Sequence, residues 1–203
     1  MAALGHDHVI VNRALEGWVN PGDSLAAAAF FLSIPTSGFV VDEAAARAEE
    51  GADFSEEIGD DAKAGTLHNM LSPAVLDAQS YASITVRSIS IEAVSAGAQI
   101  PAADAQARAA GAEASALGAQ VPPGEGQGSP SGEQVTVRIS VAGHESSLVV
   151  PFTLDTSVGR LHAQAAFTVR QTALGLTPFT ALLGALRVED QLRVKLDLVA
   201  NRD

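Results

Sequence analysis

Cysteine is absent from the 203 residues, which excludes a thiolate nucleophile, a disulfide framework and a zinc–thiolate centre. Cations are scarce too: 12 Lys and Arg stand against 24 Asp and Glu, a formal net charge of −12. Nucleic acids and anionic membranes call for clustered Lys and Arg, so the balance argues against both and reads as a well-solvated surface. Aromatic side chains are few, one Trp, one Tyr and seven Phe. A core must then rely on Val, Leu, Ile and Phe, and the plentiful Ala leaves volume between facing walls. No apolar run approaches the length of a membrane-spanning helix. No signal peptide is read either, since only Ala2-Ala3-Leu4-Gly5 separates Met1 from His6-Asp7-His8. As written, the chain is expected in the cytoplasm. A trimmed N-terminus would instead point to a periplasmic or exported protein.

What is present is alternation. Val135, Val137, Ile139 and Val141 alternate with polar residues, and the pattern recurs at Leu148–Leu154, Leu161–Val169 and Leu192–Leu198. A period of two places one set of side chains on one face of a pleated strand. Four such stretches in a row predict an antiparallel sheet with one buried and one wet side. Ala142-Gly143-His144-Glu145 and Asp155-Thr156-Ser157-Val158-Gly159 supply the hairpin turns. Upstream, strands are expected at His8–Val19, Leu25–Ile34 (ended by Pro35), Gly38–Val41 and Ala82–Val94. The last changes phase near Arg87-Ser88, the mark of a bulge.

Between these lies an acidic helical segment, Asp42 to Gln79. Asp42 is expected to cap a helix through Arg47, Ser55-Glu56-Glu57 to begin a second, and Ser72-Pro73 a third. Residues 95–132 are Ala-, Gly- and Pro-rich and read as a flexible hairpin insertion within one domain spanning 1–203. The whole is mainly β: an antiparallel barrel of about eight strands with a short helical crossing, a size that just holds one small ligand.

Several stretches resemble the YceI-like family of lipocalin-like proteins associated with polyisoprenoid and other lipid binding. The run from His68-Asn69-Met70-Leu71 to Ser80-Tyr81 looks like the family's helical crossing, and Ile84-Thr85-Val86-Arg87-Ser88 like the strand after it. Ala166–Leu176 resembles a strand running into a glycine turn, and Gly184–Leu192 the final hairpin. Gly5-His6-Asp7-His8 resembles a histidine-bearing entry to the first complete strand. Ala82 stands where the family usually has proline, and the family's opening strand has no counterpart before Gly5, which implies an incomplete barrel. The resemblance implies a lipocalin-like barrel binding a long apolar molecule, an isoprenoid or other lipid tail, without covalent chemistry.

Wall residues for such a ligand are Val11, Phe30, Leu32, Val41, Ile84, Val86, Val137, Ile139, Phe152 and Phe167, with Met70, Leu71 and Phe179 as plugs or lids. Trp18 is read first as core. An enzyme finds little support: there is no Gly-x-Ser-x-Gly elbow, no glycine loop between a strand and a helix, and no distinct carboxylate pair. The alternative is a metal-dependent enzyme or metal-binding protein. Two residues apart on a strand, His6 and His8 could share one metal, with His68 or His144 as a third ligand. His144 and His162 otherwise read as surface residues. A third reading is a filled barrel serving as an interaction module, a homodimer through an open sheet edge.

Overall fold

The structure is a computed structural model that describes residues 7–93, 108–109, 133–157, 159–181 and 186–201. Its strands are β1 (Ile10–Asn12), β2 (Glu16–Asn20), β3 (Ala29–Pro35), β4 (Phe39–Val41), β5 (Ser83–Ala93), β6 (Arg108–Ala109), β7 (Glu133–Val141), β8 (His144–Ser157), β9 (Arg160–Arg170), β10 (Thr180–Ala181), β11 (Leu186–Arg187) and β12 (Gln191–Asn201). Helices α1 (Ala44–Glu49) and α2 (Asp60–Leu71) lie between β4 and β5.

One antiparallel sheet dominates, in the order β12-β9-β8-β7-β5-β3-β2, with β6 paired to β8 beside this path. It is curled into a half-barrel whose path ends at β2 and β12. The fold class is thus the mainly β one that the alternation predicts, and its curl is the lipocalin-like form that the resemblance implies. Val141 pairs with His144 across Ala142-Gly143, and Ser157 with Arg160 across the second tight turn. At Ala142 and Gly143 φ is +47° and +79°, the left-handed pair that a two-residue hairpin matched to strand twist requires. A Cβ on Gly143 would lie 2.4 Å from the Tyr81 hydroxyl oxygen, so this position has no room for a side chain. The β5–β7 register shifts between Ser88 and Ser90, which is the expected bulge. Ser88 Oγ accepts from the Phe30 N–H at 2.9 Å beside it.

Elsewhere the chain departs from expectation. His8–Val19 forms two short strands: β1 pairs with β4 outside the main sheet, and β2 pairs with β3. The break has a local cause, because Asn12 Oδ1 accepts from Ala14 N–H while its Nδ2 donates to Pro35 O, which turns the chain after β1. Leu25–Ala27 is a 3₁₀ turn, as the alanines favour, and the strand begins only at Ala29. Ser55 starts no helix: Arg47 donates to the carbonyls of Phe54 and Glu56, and α2 waits until Asp60-Asp61 supply the acidic first turn. Ser72-Pro73 ends a helix instead of starting one. Pro73 follows the last turn of α2, and Leu76 N–H and Ala78 N–H return to the carbonyls of Met70 and Leu71. The C-terminal strand is Gln191–Asn201, with Leu186–Arg187 split off to pair with β10. The Ala-rich stretch 102–119 lies outside the described residues apart from Arg108–Ala109, as do Leu182 and Leu183.

The core lies on the inner face of the curl. Ile91, Val135, Val137, Val141, Leu148, Val150 and Val169 are buried there, with Leu76 from the turn after α2 and Leu174 and Leu176 from the segment after β9.

Candidate ligand-binding face

Register decides which side chains meet. Leu32, Val86 and Ile139 stand opposite one another across β3, β5 and β7, and Val137 stands opposite Leu148 on β8. Phe30, Ile84, Val86, Ile139, Phe152 and Phe167 pack around the buried cluster while each keeps part of its surface exposed. Met70 and Leu71, at the end of α2, pack against the same cluster. Most of the nominated wall therefore shares the concave side of the half-barrel. Leu32 and Val41 are buried, Val137 is 4% exposed, and Val11 lies half-buried on β1 beside Val40. Phe179 stands apart, half-buried, with its carbonyl accepting from Val188 N–H. Trp18 is a correction: it is 54% exposed, because β2 is an edge strand and register sends its indole to the convex face beside Phe31.

A polar node that no sequence pattern announces anchors the N-terminal segment beside this face. Asp42 caps nothing. Its φ is +52°, its side chain is fully buried, and it gathers three donors. Val9 N–H and Arg47 Nη1 donate to Oδ1 at 2.9 and 2.8 Å, and His8 Nδ1 lies 2.6 Å from Oδ2. Burial alone would raise the Asp42 carboxyl, but the hydrogen bonds from His8, Val9 and Arg47 outweigh it and hold the group below the usual carboxylate range. An ionised carboxylate only accepts, so the His8 Nδ1 carries a proton. Arg47, itself buried, also donates to Asp7 O at 2.9 Å and lies over the Phe54 ring. The acid after a strand with an arginine five residues on is the only local sign of this node, and it reads equally well as a helix cap.

Of the nominated metal ligands, His6 lies outside the described residues. His8 has Nδ1 on Asp42, and Nε2 lies 3.3 Å from Thr66 Oγ1. His68 is exposed on α2 and His144 is exposed at the β7–β8 turn. Among the described residues, no three of His, Asp and Glu converge as a metal site. His162 points outward and pairs with Asp197 at 2.9 Å, as its parity predicts.

At the rim, a cleft of about 420 Å³ opens between Arg170, Arg187, Val188, Glu189, Asp190 and Gln191. Asp190 accepts from Thr172 N–H and Oγ1 at 2.8 and 2.7 Å. Slight burial opposes them, but these bonds, with Arg170 and Arg187 nearby, hold its carboxyl low. Gln171, buried, donates to Glu189 O at 2.7 Å and ties the end of β9 to the approach of β12.

An open antiparallel curl with an apolar inner face and helical turns packed against it defines a lipocalin-like half-barrel. No family model and no curated protein matches the chain. Solved structures are similar over nearly its whole length. Burkholderia cenocepacia BcnA superposes with a TM-score of 0.56 at 14% identity, covering 95% of this chain and 87% of that one. The Campylobacter jejuni YceI protein gives 0.57 at 7% identity over 96% and 85%, and a mutant of it gives 0.59 with the same identity and coverage. The fold is YceI-like. No helix among the described residues is long and apolar enough to cross a membrane.

Proposed function

We propose that the protein binds a long apolar molecule, an isoprenoid or another lipid tail, along the concave face. The observation that carries this reading is the set Phe30, Ile84, Val86, Ile139, Phe152 and Phe167, gathered on one face yet only partly buried. Removing roughly 300 Å² of tail from water is worth on the order of 7 kcal/mol before the cost of association, so the tail needs no polar contact. Mass spectrometry of an organic extract of freshly purified protein tests this. A co-purified lipid is expected, with its amount falling sharply in Phe152→Glu, while a blank extract from the wild type would end the reading.

A second reading concerns self-association. The sheet path ends at β2 and β12, and Trp18 and Val19 on one and Leu192 and Val199 on the other are exposed. Such edges suit a homodimer formed by strand pairing. Light scattering across a dilution series decides it, and a monomer at every concentration would remove it.

A further inference from the structure

The convex face carries an arrangement that lipid binding does not use. Trp18, Phe31, Arg87, Arg138 and Ser147 are successive register partners across β2, β3, β5, β7 and β8, so they form one outward row. The neighbouring row runs Ser33, Thr85, Ser140 and Glu145. Two arginines thus stand directly opposite each other, flanked by hydroxyls, in a chain whose acids outnumber its bases two to one. Like charges in direct cross-strand opposition destabilise a sheet. Among the described residues neither guanidinium has a carboxylate within ion-pair distance: Arg87 lies over the Phe31 ring, 5.9 Å from its centroid, and Glu145 is diagonal to Arg138. Thr85, Arg87, Arg138, Ser140 and Glu145 line a cleft of about 80 Å³.

We propose that this cleft is a second ligand site, separate from the concave face, that takes an oxyanion of phosphate chemistry. Each guanidinium offers planar N–H donors matched to two oxygens of a phosphate, and Thr85 and Ser140 add hydroxyl donors from the next row. A bound anion relieves the opposition of the two cations, which no carboxylate among the described residues does by an ion pair. Glu145 also lines the cleft, and its carboxylate opposes the anion that the two guanidinium groups draw in. The phosphate comes either from the free ion or from a lipid headgroup, and the two sources are separable.

The sole tryptophan, Trp18, lies two strands from Arg87 in the same row, roughly 9–10 Å away, and serves as the reporter. The full chain is titrated with inorganic phosphate at ionic strength held constant with chloride. It is also sedimented with phosphatidylcholine vesicles with and without phosphatidic acid. Saturable fluorescence change and a raised thermal midpoint in phosphate identify the free ion. Sedimentation that depends on phosphatidic acid identifies the headgroup. In either case Arg87→Gln and Arg138→Gln are each expected to weaken binding at least tenfold while keeping a wild-type circular dichroism spectrum. Neither response in the wild type, or a response unchanged in both variants, overturns the site.

Discussion

The hairpins of the sheet and the corner around Asp42 are held by opposite means. From β7 to β9 and on to β12, stability comes from many aliphatic contacts joined by tight turns. At the corner it rests on one buried carboxylate that holds β1, α1 and the segment before α2 through His8, Val9 and Arg47. Distributed burial tolerates loss in proportion to the volume removed. A buried charge cluster fails as a unit, because any single deletion leaves a desolvated ion without its partner.

The sharpest way to break this contrast is Asp42→Ala, which strands Arg47 and is expected to lower stability by about 3–5 kcal/mol in chemical denaturation. The same node sets an acid limit. The folded Asp42 carboxyl is held below the ordinary carboxylate range, so its stabilisation is fully present above that range and lost as pH falls through the lowered value. Asp190 and Asp197 are shifted the same way, so a thermal-midpoint profile should drop steeply below about pH 4, and Asp42→Asn should flatten it. In the sheet, Leu148→Ala should cost about 2–4 kcal/mol with an unchanged denaturant slope, which marks local loss without loss of cooperativity. Gly143→Ala combines a positive φ with the Tyr81 hydroxyl and should cost about 1–3 kcal/mol. Lys195→Ala removes the exposed ion pair from β12 to Glu50 beyond α1, and its effect should stay within about 1 kcal/mol.

The contrast also explains what the sequence made legible. Alternation and turn chemistry are local signals, so the strands from Glu133 onward, their turns and the bulge near Ser88 could be read directly. Period two also told which residues share a face, although not which face is inward: that followed only from burial, which covers Val135 and Val137 and leaves Arg87 and Arg138 exposed. The helical corner was read wrongly at Asp42, Ser55 and Ser72, because each is a legitimate cap or start residue whose role was decided by a distant partner. His8 is 34 residues from Asp42, and Tyr81 meets Gly143 across a far longer span. The convex ladder was invisible for the same reason, since Trp18, Phe31, Arg87 and Arg138 are neighbours only after four strands have found their order.

The left-handed backbone at Asp42 also bears on the order of assembly. Hairpins closed by two residues can zip as soon as their aliphatics collapse, whereas the carboxylate has little to gain until β1, α1 and the Phe54–Glu56 carbonyls have all arrived. The corner should then dock last and release first, an order that hydrogen exchange would read as lower protection at Val9 and Arg47 than in β7 and β8. Lesions there should quicken the departure from the native state while leaving the rate of reaching it nearly untouched.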